Sequence, residues 1–466
     1  MKLNYKRTLQ TSFVFFTICM MIQLMDTYFP VFLSDMFVSK YGGSSSDHAF
    51  IIGLIMAAGN IFALFTIPLI SMLSDRTKSS YGKRTPYIIW GTFTQIIMFP
   101  LMPILFMANE LGWFIATMIL CVMIINTYRV PAVALMPDIT PKPLRNRANA
   151  IVNLVGYTGM IVAGILAIIF PVKNGADGFL SYNASTLWIP FGITLVLMVA
   201  SVMVTVIKIN ENKLALGMKK EMELGERIAE TDAKLYKNQG LTKVDKRNLV
   251  LILISLLFWT ISFSAVQSYG SLFGLEVLGV DTGWWGGATI IMVVVGMISF
   301  IPIGKLADRY GRKNVMLTGL IMMISALFIA CFVHTPWVFY LIIACAGFGW
   351  AIIGVISYPM IIEMSTKENV GKFTSFYYVF KGMALAISPM LASVFFTAFG
   401  YSVLFIYSTI FMCVALLLFS FYKPTKRSNT EKENDEKLKE EIDELEQVVP
   451  NESDYTPYSN SKFIED

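Results

Sequence analysis

Residues 74–87 read SDRTKSSYGKRTPY, and residues 307–315 read ADRYGRKNV. Each stretch has Asp-Arg, then a glycine, then two basic residues, and each directly follows a long apolar run. A second pair of segments repeats in the same way, PDITPKPLRNRANAIVNLVG (137–156) and IEMSTKENVGKFTSFYYVFK (362–381). A constant offset of 225 residues places Asp138 on Glu363 and Arg147 on Lys372. Parallel halves duplicated in this way about an axis along the membrane normal are a transporter architecture, with the site between the halves.

The apolar runs around these loops fix the class. The chain has 466 residues, 55% of them hydrophobic and only 15% charged. Its mean hydropathy is +0.62, and a soluble domain would carry about 25% charged residues. Twelve runs, near 8–33, 49–73, 87–107, 112–136, 147–170, 186–207, 249–275, 284–304, 315–334, 336–360, 372–398 and 401–422, are each long enough to cross a ~30 Å hydrocarbon core. Lipid offers the backbone no hydrogen bonds, so runs of this length must be helices. The expected fold is all-α, a polytopic membrane protein with twelve transmembrane helices in two pseudo-symmetric six-helix bundles. Its parts are residues 1–207, a cytoplasmic linker 208–247, residues 248–422 and an acidic cytoplasmic tail 423–466.

The positions of Lys and Arg orient the chain. Of the 37, all but Lys40, Lys173, Arg129 and Lys381 fall in the termini and in one set of loops. The positive-inside rule puts that set, with both termini, in the cytoplasm. The first run is too long, and too polar at its end, for a cleaved signal peptide. The net charge of +5 follows from this loop bias and calls for no nucleic acid.

No enzyme chemistry is visible. Cys19, Cys121, Cys331, Cys345 and Cys413 all lie in spans without metal-ligand spacing, so no metal is expected. There is no Walker A loop or HExxH helix. GFGWAIIG (347–354) lies inside a span, where small residues serve close helix packing. No cofactor is implied.

The paired loops resemble the signature loop that follows the second and eighth helices of the major facilitator superfamily. The longer first copy, with Lys83-Arg84-Thr85-Pro86, is similar to that of the glycoside–pentoside–hexuronide cation symporters. QLMDTYFPVFL and TYRVPAVALMPDITPKPLRNRANAI look most like the branch of plant sucrose–proton symporters and animal proton-coupled sugar transporters. The resemblance implies a secondary transporter that takes up a disaccharide or small glucoside, such as sucrose or maltose, by proton symport. Sodium-coupled members of the group carry acids in the second helix. Residues 49–73 hold none, with Asn60 the nearest polar substitute, which favours protons. An efflux transporter for drugs or metabolites and a non-transporting sugar sensor are the alternatives.

Charges deep in a span cost about 2.5–3.5 kcal/mol on insertion scales and mark functional sites by default. Asp26, Arg129 and Lys381 are the candidates for proton coupling. Asp26 can gain and lose a proton; a helix-packing carboxylate is the alternative. Arg129 keeps its charge, so it anchors a substrate or steadies a carboxylate. Asp26 lies toward the outside and Arg129 toward the inside, about 15 Å apart along the normal at 1.5 Å per residue, which disfavours a direct pair. For Lys381 the resemblance implies coupling, and a snorkelling side chain is the alternative. Sugar contacts are expected from Gln23, Tyr28, Asn126 and Arg129, from the stripe Asn149, Asn153 and Tyr157, and from Trp259, Gln267 and Tyr377. Such stripes also arise from plain helix packing.

The duplicated loops are expected to latch a cytoplasmic gate through Asp75, Arg76, Gly82, Arg84 and Asp138 in one half and Asp308, Arg309, Gly311, Arg312 and Glu363 in the other. The tail from Glu431 to Glu446, with Leu438, Ile442 and Leu445 at helical spacing, reads equally as an amphipathic helix or a disordered segment. The expected partners are a sugar, a proton and the lipid bilayer, with the chain working as a monomer in the plasma membrane.

Overall fold

Long apolar segments that must satisfy their own backbone hydrogen bonds become helices, and start and stop signals set their limits. The computed structural model describes residues 3–175, 179–209, 211–212, 214, 219, 222–227, 243–364 and 369–423. Among these residues, twelve helices are long and apolar enough to cross a membrane. They are α1 (Tyr5–Tyr41), α2 (Ala49–Arg76), α3 (Thr85–Met107), α4 (Leu111–Asp138), α5 (Arg145–Ile169), α6 (Ile189–Lys208), α7 (Lys243–Glu276), α8 (Thr282–Tyr310), α9 (Arg312–Ala330), α10 (Pro336–Glu363), α11 (Val370–Phe399) and α12 (Leu404–Ser420). Asn4 caps α1 by accepting from the Arg7 amide at 3.1 Å, and Asp281 caps α8 by accepting from the Trp284 amide at 3.2 Å. Gly311 turns α8 into α9 with a φ of +83°, a left-handed value that glycine adopts without penalty.

The helices pack in two sets of six with the same internal plan. In the first half α1 packs on α5 and α6, α2 on α4, and α3 on α4 and α6. In the second α7 packs on α11 and α12, α8 on α10, and α9 on α10 and α12. Every pair recurs six helices later, so the duplication legible in the loops is a duplication of packing. The halves meet through α2 with α11, α5 with α8, and α1 with α7. At two of these crossings the backbones approach closely. A Cβ on Gly286 would meet the Gly164 carbonyl oxygen at 2.6 Å, and one on Gly53 would meet the Ser393 side chain.

Several helices exceed their expected limits. The α1 helix runs eight residues past Leu33 to Tyr41, and Asp35 on that extension accepts from the Leu180 amide at 2.8 Å. The α7 helix begins at Lys243, inside the expected linker, and α5 begins at Arg145. Helices outrun hydrophobic segments because their hydrogen bonds continue wherever the chain does, in water as in lipid. Most of the expected linker, the tail after Lys423 with its helical spacing, and the side chain of Glu363 lie outside the described residues.

Candidate functional site

The single carboxylate of the α1 core sits at the seam between the halves. Asp26 is half-buried, and its Oδ2 accepts from Gln267 Nε2 of α7 at 2.9 Å. The Ser271 hydroxyl, one turn along α7, donates to the Asp26 carbonyl at 3.4 Å. Gln23, one turn back on α1, donates from Nε2 to the Thr289 hydroxyl of α8 at 3.2 Å. Its Oε1 is buried and has no partner among the described residues. Thus one face of α1 carries an acid and an amide, each bonded to the opposite half. Tyr28 faces the other way. It is fully buried, donates to the Phe170 carbonyl at 2.8 Å and packs on Phe32 and Phe191, inside the first half rather than at the seam.

Arg129 and Lys381 occupy a different level. The Arg129 guanidinium lies 5.8 Å from the centre of the Phe15 ring. Phe15 is eleven residues before Asp26, roughly 16 Å along the helix at 1.5 Å per residue. The two charges therefore do not pair directly. Lys381 lies on α11, in the other half. Both are half-buried. Among the described residues, neither has a carboxylate within ion-pair distance or a hydrogen-bond partner. Each such cation costs about 2.5–3.5 kcal/mol in a span on insertion scales.

The expected sugar contacts divide. Tyr157 faces Phe300 across the halves with ring centres 5.8 Å apart. The Tyr377 hydroxyl is hydrogen-bonded with Ser357 at 3.3 Å, and its ring meets those of Tyr358 and Tyr378. Asn126 and Asn153 spend their amide donors on their own helices, on the carbonyls of Val122 and Asn149, while the Asn149 side chain is exposed. Trp259 is 1% exposed and lies within the second-half core, so it holds that bundle together. Phe263 and Trp350 lie parallel with centres 3.7 Å apart, each closing the face of the other.

At the end that carries the termini, Arg84 gathers the first signature loop. Its guanidinium bonds Asp75 at 2.6 Å and Asp138 at 2.7 Å, and it donates to the Ser74 hydroxyl at 2.9 Å. Burial works against its charge, but the Asp138 and Asp75 carboxylates outweigh that and hold the guanidinium above its ordinary range. All of these contacts stay within the first half. Gly82 lies in the turn with a φ of +109°, and Arg76 is exposed. In the second copy Asp308, Arg309 and Gly311 are exposed, with the Arg309 guanidinium over Tyr310, and Arg312 is half-buried.

Sequence reasoning missed Glu211. This buried carboxylate accepts from the amides of Arg84 and Thr85 and from the Thr85 hydroxyl, the last two at 2.7 Å. Asn212 beside it donates to the carbonyls of Ser79 and Ser80. The available signal was indirect. The third helix opens on Lys-Arg-Thr-Pro with no side-chain cap of its own, and an uncapped helix start attracts an acid from elsewhere.

The opposite end is closed. Thr282 of α8 exchanges two 3.0 Å bonds with the Val172 backbone, and Asn174 donates to the Leu275 carbonyl at 3.2 Å. Lys173 and Asp281 form an ion pair at 3.6 Å. The Phe50 amide donates to the Thr397 hydroxyl at 3.0 Å, and Ser45 meets Tyr401. The bonds described between the halves run from Gln23 outward to this end.

Residues 11–301 and 282–453 match the family model described as Major Facilitator Superfamily. The chain belongs to the major facilitator superfamily. It is a multi-pass membrane transporter of that superfamily. Its fold is similar to a solved D-xylose–proton symporter, with 15% identity, a TM-score of 0.66, and 90% of this chain and 98% of that one covered. It is also similar to the inward open conformation of the xylose transporter XylE from E. coli, with 14% identity, a TM-score of 0.68, and 96% and 100% covered. Among curated relatives, an uncharacterized transporter of Buchnera aphidicola is 29% identical over 153 residues, 33% of this chain and only 37% of that protein. The multidrug resistance protein MdtG of Salmonella paratyphi B is 20% identical over 86% of this chain and 92% of its own.

Proposed function

We propose that this superfamily member is a proton-coupled sugar importer of the plasma membrane, with both termini cytoplasmic, working as a monomer by alternating access. The substrate is a disaccharide or small glucoside, with sucrose and maltose the first to test. The observation that carries the reading is the bond between Asp26 and Gln267. It joins the only acid in the core of α1 to the other half of the protein. An ionised carboxylate accepts a hydrogen bond more strongly than a protonated one. Loss of the proton thus holds α1 to α7 and favours the state closed at the far end. Proton uptake weakens that bond and lets the far end open. The charge of Asp26 and the state of the far end are therefore coupled, which a proton-driven carrier requires.

The test is uptake of a panel of labelled sugars by cells or vesicles, with and without a pH gradient. The expected result is uptake that collapses with a protonophore and is indifferent to sodium at constant pH and potential. A strong sodium requirement would overturn the proton assignment. The similarity to MdtG supports a second reading, efflux. Under that reading a pH gradient would lower the content of labelled compounds in intact cells instead of raising it.

A further inference from the structure

We infer that Gln23 is a positioning residue for the coupling proton: its side-chain oxygen accepts from Asp26 once that carboxyl is protonated. The inference deepens the reading of Asp26 as the coupling group and rests on it. It gives Gln23 a part other than the sugar contact expected from the sequence.

The neighbours of Gln23 fix the direction of its carboxamide. Nε2 lies 3.4 Å from the Thr27 hydroxyl and 3.2 Å from that of Thr289. A hydroxyl has one hydrogen, and here both are spent. Thr27 donates to the Gln23 carbonyl at 2.9 Å, and Thr289 to the Trp285 carbonyl at 3.0 Å. The two hydroxyls can therefore only accept, so the amino group faces them and Oε1 is turned away. That oxygen is buried, Gln23 being 1% exposed, and it has no partner among the described residues. Buried acceptors are nearly always bonded, so this one calls for a donor.

The donor is one turn away. Gln23 and Asp26 are three residues apart on α1, a spacing that brings Cβ atoms to about 5–6 Å. The bond to Thr27 shows the carboxamide reaching forward to the level of Asp26. The Asp26 backbone is held. Pro30, four residues on, has no N–H for the Asp26 carbonyl, and Ser271 of α7 donates to that carbonyl instead, at 3.4 Å. The side chain is the part left to turn. An ionised carboxylate only accepts, and Gln267 Nε2 serves it at 2.9 Å. A protonated carboxyl has a hydrogen to donate, which Nε2 of Gln267 cannot take and Oε1 of Gln23 can. Proton uptake thus exchanges a bond across the halves for one within α1.

No charge competes for the acid. The helices packed on α1 carry no charged residue over 49–74 of α2, 111–128 of α4, 160–170 of α5, 189–207 of α6, 249–275 of α7 and 284–304 of α8. Of their titratable groups, Cys121 and Tyr128 belong to the first-half core, and Tyr269 donates to the Pro389 carbonyl at 2.9 Å within the second half. On α1 itself, Tyr28 is turned to Phe170 and Asp35 to Leu180.

The experiment is infrared titration of the purified full-length protein in lipid nanodiscs. It follows the carbonyl band of protonated Asp26, identified by its loss in Asp26→Asn. Gln23→Leu removes the acceptor of the protonated form and is expected to weaken proton binding roughly tenfold, a midpoint lower by about one pH unit. Its band should move to the position of a carboxyl that donates to nothing. Gln23→Met, unbranched like glutamine, is the second variant and should behave alike. Gln267→Leu removes the donor of the ionised form and should shift the midpoint the opposite way. Thr289→Val leaves Oε1 in place and should keep the midpoint near that of the wild type. Monodisperse elution of each variant controls for folding, and a loss of packing alone would not drive the two midpoints apart. An unmoved midpoint in both Gln23 variants, or shifts of one sign at Gln23 and Gln267, overturns the inference and leaves Asp26 as the coupling group. A band that never titrates in the folded protein sinks the reading of Asp26 itself, and the inference with it.

Discussion

At the scale of single residues, Asp26 is the acid bonded across the halves, to Gln267. Asp26→Asn keeps the size and an oxygen for Gln267 to donate to, but it removes titration. The variant is expected to exchange labelled sugar across a membrane, because exchange need not return an empty, deprotonated carrier. It should fail to concentrate sugar in response to an imposed pH gradient. Counterflow and gradient-driven uptake in the same proteoliposomes separate the two, and accumulation by the variant at the wild-type level would make Asp26 structural. The position of this charge was legible because a lone acid in an oily run is conspicuous. Its partner was not, because Gln267 lies 241 residues away and only the packing of α1 on α7 joins them. Tyr28 and Trp259 show the converse. A polar atom on a large ring signals a binding role and a buried hydrogen bond equally well, and here Tyr28 bonds the Phe170 carbonyl while Trp259 fills the core.

At the scale of elements, the signature loops were legible as a repeated motif, but their two copies do different things in this state. The first is tied down by Arg84 and by Glu211, which caps α3 from beyond α6. In the second, Asp308 is exposed. A latch that forms when the terminal end closes would engage Asp308 only in the other state. Asp75→Asn and Asp308→Asn are therefore expected to impair net transport more than equilibrium sugar binding, since both lie in the last turns of their helices, away from Asp26. Asp75→Asn should also lower thermal stability, by roughly the 0–1 kcal/mol of a largely exposed ion pair, with Asp308→Asn neutral in that measurement. Equal losses of binding and transport at normal protein levels would remove both residues from the gate. The Glu211 contact escaped sequence reasoning because a cap supplied across 126 residues leaves no local pattern, only a helix start without its own acceptor.

At the scale of the whole molecule, the repeated pairing of helices was foreseeable from the twelve runs and the two repeated loops, whereas the state of the transporter was not. Sequence periodicity is identical in every conformation of an alternating-access protein; the state is set by which end carries the bonds between halves. The hydrogen bonds between the halves named above lie from Gln23 to the end away from the termini, and locking that end gives a direct test. The Thr397 hydroxyl is 3.0 Å from the Phe50 amide, which brings the two backbones near the spacing of about 4.4–6.8 Å between Cα atoms that a disulfide requires. In a background lacking the five native cysteines, Phe50→Cys with Thr397→Cys is expected to form a disulfide on oxidation and to abolish transport, with recovery on reduction. Sugar should still bind to the oxidised protein from the terminal side, because the locked bond lies at the other end. Full transport by a completely oxidised sample would mean that substrate never passes the sealed end, and alternating access between the two halves would fail as the mechanism.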